Sequence, residues 1–161
     1  MILILAEKPS LARNITAAIG GMKKRDGYYE GAQYIVTWAF GHLFSLADIE
    51  DYNPAPQECR HWTMDNLPCF PKKYKFVLRK GSDKQVDSGV ARQFETIKAL
   101  CNRPDVDTIV NAGDADREGE IIIRIIVDHA FASKEERAGK SHKRLWLPDQ
   151  TAETINKALT E

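Results

Sequence analysis

Within seven residues, Asp114-Ala-Asp116-Arg117-Glu118-Gly119-Glu120 gathers four carboxylates and one guanidinium, shortly after the apolar segment Thr108-Ile109-Val110. Like charges this close repel one another, and a solvated turn gains nothing from the arrangement. A divalent cation removes the repulsion. Mg2+ is a hard ion that takes carboxylate oxygens, keeps several waters and is often shared with substrate phosphates. The run therefore reads as a metal site for phosphate chemistry, with Mn2+ as a possible substitute. In extended backbone, residues i and i+2 point the same way, so Asp114 and Asp116 are expected to hold one ion together. Glu118 and Glu120 fall at the start of the next helix, where the macrodipole favours negative charge, so capping is open to both. Arg117 offers a planar fork, suited equally to a phosphate or to one of its acidic neighbours. Gly113 and Gly119 let the chain turn tightly around the pair.

These groups need elements to position them. Met1–Ala6 is a continuous apolar run, as in a strand buried on both faces of a parallel sheet. It stops at Glu7-Lys8-Pro9. Pro9 suits the first turn of a helix carrying Leu11, Ile15, Ala18 and Ile19 inward and ending at Gly20-Gly21. Residues 27–40 read as a hairpin about Gly31, with Tyr34 to Trp38 the stronger strand, and Gly41-His42-Leu43 as a turn. Residues 48–73, rich in Pro, Asp and Asn, read as a long irregular excursion holding Trp62. A strand is expected near Lys75 to Leu78. Ser82 is expected to cap a helix lined by Val86, Val90, Phe94, Ile97 and Cys101. Val106 to Ala112 is a second buried strand that delivers the acidic run. The helix after it carries Ile121, Ile122, Ile123, Ile125, Ile126 and Val127, apolar nearly all round, which implies burial between the sheet and another element. Arg144 to Leu147 reads as a last strand, and Thr151 as the cap of a final helix with Ile155, Ala158 and Leu159 inward.

Strands alternating with helices make an α/β fold with a parallel sheet. Ligands of such sheets bind beyond the carboxyl ends of the strands. Glu7 ends the first strand and Asp114 follows a later one, so adjacent pairing of the two would bring three carboxylates to one rim.

The totals narrow the classes. At 161 residues, 43% hydrophobic and 29% charged, the chain fits one globular domain. Lys plus Arg and Asp plus Glu each count 23, which gives no cationic excess for tight independent binding of nucleic acid. No apolar stretch reaches the roughly 18 residues of a membrane span. No basic segment precedes the first apolar run, so no secretory signal is expected. The cysteines, Cys59, Cys69 and Cys101, are odd in number without a Cys-x-x-Cys pair, in keeping with reduced thiols in the cytoplasm. Cys59, His61 and Cys69 lack the fourth ligand of a zinc site.

Taken with Ala6-Glu7-Lys8-Pro9-Ser10, Gly41-His42-Leu43, the stretch from Trp62 to Leu67-Pro68 and Arg144-Leu145-Trp146, the acidic run resembles the TOPRIM domain. More narrowly, the chain is similar to the N-terminal part of a type IA DNA topoisomerase of the topoisomerase III group, over nearly its whole length. The resemblance implies a single Rossmann-like TOPRIM domain over residues 1–161, with a mainly parallel central sheet between helices, an added β-hairpin and a long loop. It implies that Glu7, Asp114 and Asp116 hold Mg2+ with Glu118 in support. Glu7 would also exchange a proton with the leaving sugar oxygen, Lys8 would contact phosphate, and Arg117 would assist the chemistry. Trp62 matches a tryptophan near single-stranded DNA, where an indole face can stack a base; anchoring the long loop is the other reading.

The family's nucleophile is a tyrosine in a Tyr-x-Arg context within a later domain. None of Tyr28, Tyr29, Tyr34, Tyr52 and Tyr74 has that context. The expectation is therefore a fragment inactive by itself, whose partners are DNA and the remaining domains of a cytoplasmic, nucleoid-associated enzyme. Two alternatives stand beside it: a self-sufficient small TOPRIM nuclease using metal-activated water, and a non-enzymatic TOPRIM-like assembly module that has no need of the ion.

Overall fold

The computed structural model describes residues 1–52, 64, 70–82 and 84–160. Eight strands, β1 (Ile2–Ala6), β2 (Lys23–Arg25), β3 (Tyr28–Glu30), β4 (Tyr34–Trp38), β5 (Phe44–Leu46), β6 (Phe76–Leu78), β7 (Thr108–Ala112) and β8 (Ser141–Arg144), occur among these residues. The helices are α1 (Pro9–Ile19), α2 (Ser88–Cys101), α3 (Arg117–Ala130), α4 (Lys134–Ala138) and α5 (Ala152–Thr160). Six strands form one sheet in the order β2-β3-β4-β1-β7-β8, and β5 pairs antiparallel with β6. Strands β4, β1, β7 and β8 run parallel, while β2 and β3 add an antiparallel edge. The α/β class and the mainly parallel sheet expected from the sequence are therefore present.

β1 lies at the centre, and its apolar run serves both faces. Leu3 and Leu5 face a core built with α2 and α3, through Val90, Phe94, Ile97, Ile123 and Ile126. Ile4 and Ala6 face a second core with Leu11, Ala12 and Ile15 of α1 and Ile155 of α5. Alternation along a pleated strand thus splits one hydrophobic segment between two layers. Pro9 opens α1, as its fixed φ favours. Gly20, at φ 71°, closes it. Buried Gln93 donates to the carbonyls of Gly27 and Trp38 and to Thr37 Oγ1, tying α2 to the hairpin. No helix among the described residues is long and apolar enough to cross a membrane.

Three local expectations need correction, and one strand went unforeseen. α2 is capped by Asp87, whose Oδ1 accepts from the amides of Gly89 and Val90; Ser82 lies in a preceding turn closed by a Lys80–Val86 bridge. α3 is amphipathic and not buried all round, for Ile121 is 49% exposed while Ile122, Ile123 and Ile126 face the core. The last strand is β8, earlier than Arg144 to Leu147: the Leu145 amide makes the final ladder bond to the Asn111 carbonyl, and its side chain then enters the second core. β2 went unforeseen because Lys-Lys-Arg has no apolar face; all three residues are exposed. Trp62, Leu67-Pro68, Cys59, His61 and Cys69 lie outside the described residues.

Candidate metal and phosphate site

β1 and β7 pair with Ala6 opposite Ala112, so Glu7 and Gly113 leave the sheet side by side. The Glu7 carbonyl accepts from the amide of Gly41, which at φ 67° turns the chain leaving β4 across the strand ends. Glu7 Oε2 accepts from the Asp114 amide at 3.0 Å. Lys8, extended at the start of α1, places Nζ 2.7 Å from Asp114 Oδ2. That hydrogen bond holds the Lys8 ammonium above its ordinary value against the effect of burial, with the charges of Asp114, Glu7 and Asp116 adding to it.

Asp116 caps α3, its Oδ1 accepting from the Gly119 amide at 2.7 Å. Glu118 Oε1 lies 3.1 Å from His42 Nε2, so the Gly41-His42-Leu43 turn reaches the acidic run. Glu120 turns away into a supporting network. It receives Asn111 Nδ2 and lies within ion-pair distance of Arg124 and Arg144. Arg117 is exposed, with no side-chain partner among the described residues.

Two residues that the sequence reading did not assign to the site organise it. Arg144 donates from Nη1 to the Asn111 carbonyl, Asn111 Oδ1 and the Gly113 carbonyl, and from Nη2 to the Asp114 carbonyl. Its guanidinium thereby fixes the loop that carries Asp114. The other is His42. Both stood inside short motifs singled out in the sequence, but the contacts span 30 residues for Arg144–Asp114 and 76 for His42–Glu118, which no local pattern conveys.

The glycines act by close approach and not by unusual φ. A Cβ on Gly113 would meet the Gly119 carbonyl oxygen at 2.2 Å, and one on Gly119 would meet the Asp114 amide nitrogen at 2.5 Å. The first turn of α3 is packed directly onto the loop after β7.

Glu7, Lys8, Asp114 and Asp116 thus share the carboxyl rim of the sheet, where the two aspartates are engaged separately: one pairs with Lys8 and the other caps α3. Among the described residues, no three acidic, histidine or cysteine side chains are already arranged as a cage for an ion. The donor chemistry nevertheless fits Mg2+. Glu7 Oε1, Asp114 Oδ1 and Asp116 Oδ2 accept no hydrogen bond among the described residues, and an ion that retains waters needs only a few hard oxygens.

Four of the five tyrosines are held in other parts of the fold. Tyr34 opens β4 at the opposite edge, Tyr28 and Tyr29 belong to β3, and the Tyr52 hydroxyl bonds the backbone of Lys75.

The family model described as Toprim domain matches residues 2–146. DNA topoisomerase 3 of Staphylococcus epidermidis is 42% identical over 159 residues, covering 99% of this chain and 20% of that protein. DNA topoisomerase 3 of Bacillus subtilis is 41% identical over 152 residues, covering 94% of this chain and 19% of that protein. The chain therefore spans about one fifth of the length of these relatives.

Proposed function

The chain belongs to the Toprim family, and from that premise we propose that it supplies the metal- and phosphate-binding half of a type IA DNA topoisomerase active site. The whole enzyme would cut one DNA strand, pass another through the break and rejoin it without ATP, relaxing negative supercoils or unlinking DNA circles. The observation that carries the proposal is the meeting of Glu7, Lys8 and Asp114 at adjacent strand ends. The likeness to proteins named DNA topoisomerase 3 supports the choice of reaction.

In this reading the nucleophile is a tyrosine from polypeptide outside residues 1–161. Its oxygen gives up the phenolic proton to water and bonds to the scissile phosphorus while the bond from phosphorus to the 3′ sugar oxygen breaks, leaving the 5′ phosphate on tyrosine. Glu7 Oε2 is committed to the Asp114 amide, so Oε1 is the atom that passes a proton to the departing sugar oxygen and recovers it on rejoining. The Lys8 ammonium bonds a non-bridging phosphate oxygen as charge builds there. Arg117, free to swing, takes a second phosphate oxygen. Asp114 and Asp116 would hold Mg2+ with Glu118 in support, Glu7 joining them only while its Oε1 carries no proton, and the ion would supply charge stabilisation at the phosphate. Trp62 is assigned to single-stranded DNA on the resemblance alone. A cytoplasmic site at the nucleoid follows from the same proposal.

A chimera tests it: this chain replaces the matching fifth of the Staphylococcus epidermidis relative and is given negatively supercoiled plasmid with Mg2+ and no ATP. Relaxation is expected from the chimera, a loss of about a hundredfold or more from its Glu7→Gln form, and none from residues 1–161 alone. Cleavage of DNA or RNA by the isolated chain, abolished by Asp114→Asn, would favour the small-nuclease reading.

A further inference from the structure

We propose that Trp146 is a stacking platform for an unpaired nucleobase beside the phosphate site, an inference that rests on the DNA-binding function proposed above. The indole is 57% exposed, although the residue before it, Leu145, is only 3% exposed. Leu147 on its other side packs against the second core. Two inward leucines therefore hold the backbone, and the large apolar ring between them is turned to solvent. The segment is tied down again where Gln150 accepts from Asn14 Nδ2 of α1 at 2.9 Å. This is a rigid presentation of an exposed aromatic surface.

Its position connects it to the chemistry. The Arg144 guanidinium lies 5.6 Å from the indole centroid, and Nη2 of the same group is 2.7 Å from the Asp114 carbonyl. One side chain therefore separates the ring from the loop that bears a candidate metal ligand. A guanidinium on an indole orients the ring and adds positive charge at its margin, which suits a base attached to a phosphodiester. Every base has a π-face, so a stack of this kind holds a single strand without regard to sequence. A strand with a phosphate at Lys8 would keep a neighbouring base on Trp146, limiting its rotation at the reacting phosphate. The structural alternative is that the indole only braces Arg144.

Fluorescence anisotropy separates the two, with a dye-labelled single-stranded deoxyoligonucleotide titrated at low salt with the 161-residue chain. A second oligonucleotide carries abasic sites. Trp146→Ala is expected to weaken binding of the base-bearing strand about tenfold, and Trp146→Phe, which keeps a ring, no more than about threefold. On the abasic strand the wild type and Trp146→Ala should bind alike. An equal loss on both strands would show that the ring braces Arg144, and would overturn the stacking proposal. So would unchanged binding by Trp146→Ala alongside weakened binding by Lys8→Ala, an outcome that leaves the DNA-binding function standing. If the wild type binds neither strand, the stacking proposal falls, and the chimera's relaxation still tests the proposed function separately.

Discussion

The Lys8–Asp114 pair sits where a cation would be drawn, and it ties the two halves of the candidate site together. At 42% and 33% side-chain exposure the pair is well solvated, so it is a modest interaction that an arriving ion can displace. Removing Lys8 should therefore move two affinities in opposite directions. Lys8→Ala is expected to tighten Mg2+ binding about two- to fivefold, because one positive charge no longer competes for Asp114. It should also weaken binding of an oligonucleotide phosphate by a similar factor. Calorimetric titration with Mg2+ and oligonucleotide titration of the same variant check both. A fall in both affinities would mean that Lys8 positions the metal ligands and does not compete with the ion. At this scale the sequence was informative where a candidate site residue ends a strand: Glu7, Lys8 and Asp114 follow apolar runs, and their place at one rim follows from the pairing of those strands. It was silent on Arg144 and on the His42–Glu118 contact, because these are made across the tertiary structure. Glu120, for which helix capping was left open, belongs to the network around Asn111, Arg124 and Arg144.

Among elements, the junction of β7 with α3 is the most constrained. Gly113 and Gly119 face each other across it with no room for a methyl group on either. Gly119→Ala would drive a carbon to 2.5 Å from both the amide nitrogen and the carbonyl oxygen of Asp114, and to 2.9 Å from Glu7 Oε2. Backbone on one side cannot yield without moving the acidic loop. The substitution is expected to destabilise the fold by about 1–3 kcal/mol, although alanine favours helices, and to weaken metal binding. Thermal unfolding and Mg2+ titration of the one variant check the pair of effects; a variant as stable as the wild type would show that the junction is looser than described. Helices α1, α2, α3 and α5 were legible from their apolar spacing, and so were β1, β4 and β7, whereas α4 buries no residue and gave no such signal. Their ends were harder. Ser82 and Asp87 are both good caps by type, and only the Lys80–Val86 bridge, a tertiary feature, excludes the earlier one. The isoleucine-rich segment read as buried all round because its sequence is crowded with apolar residues; the sheet covers one side of α3 and leaves Ile121 to solvent.

Across the whole molecule, one central strand supports two cores, and the site lies at the rim where that strand and β7 end together. The core on the α2 and α3 side contains Cys101, whose thiol is pushed up by burial from its ordinary value of 9.0 to about 12, with Lys140 acting slightly the other way. A raised value in the fold means that the unfolded chain releases this proton first as pH climbs. The contribution is fully present below about pH 9 and is lost between about 9 and 12. Denaturant unfolding of the wild type should accordingly lose stability over that range more steeply than Cys101→Ala does; equal slopes would contradict the burial of the thiol. Acidic groups from separate strand ends are proposed to share one divalent ion, and a paramagnetic probe tests this without requiring tight binding. Mn2+ added to the isotopically labelled chain should broaden the amide resonances of Glu7, Lys8 and residues 113–118 first, and Asp114→Asn should abolish that selectivity. Early broadening at other acidic surfaces, with the Glu7 and Asp114 amides still sharp at millimolar Mn2+, would mean that these carboxylates do not form a metal site.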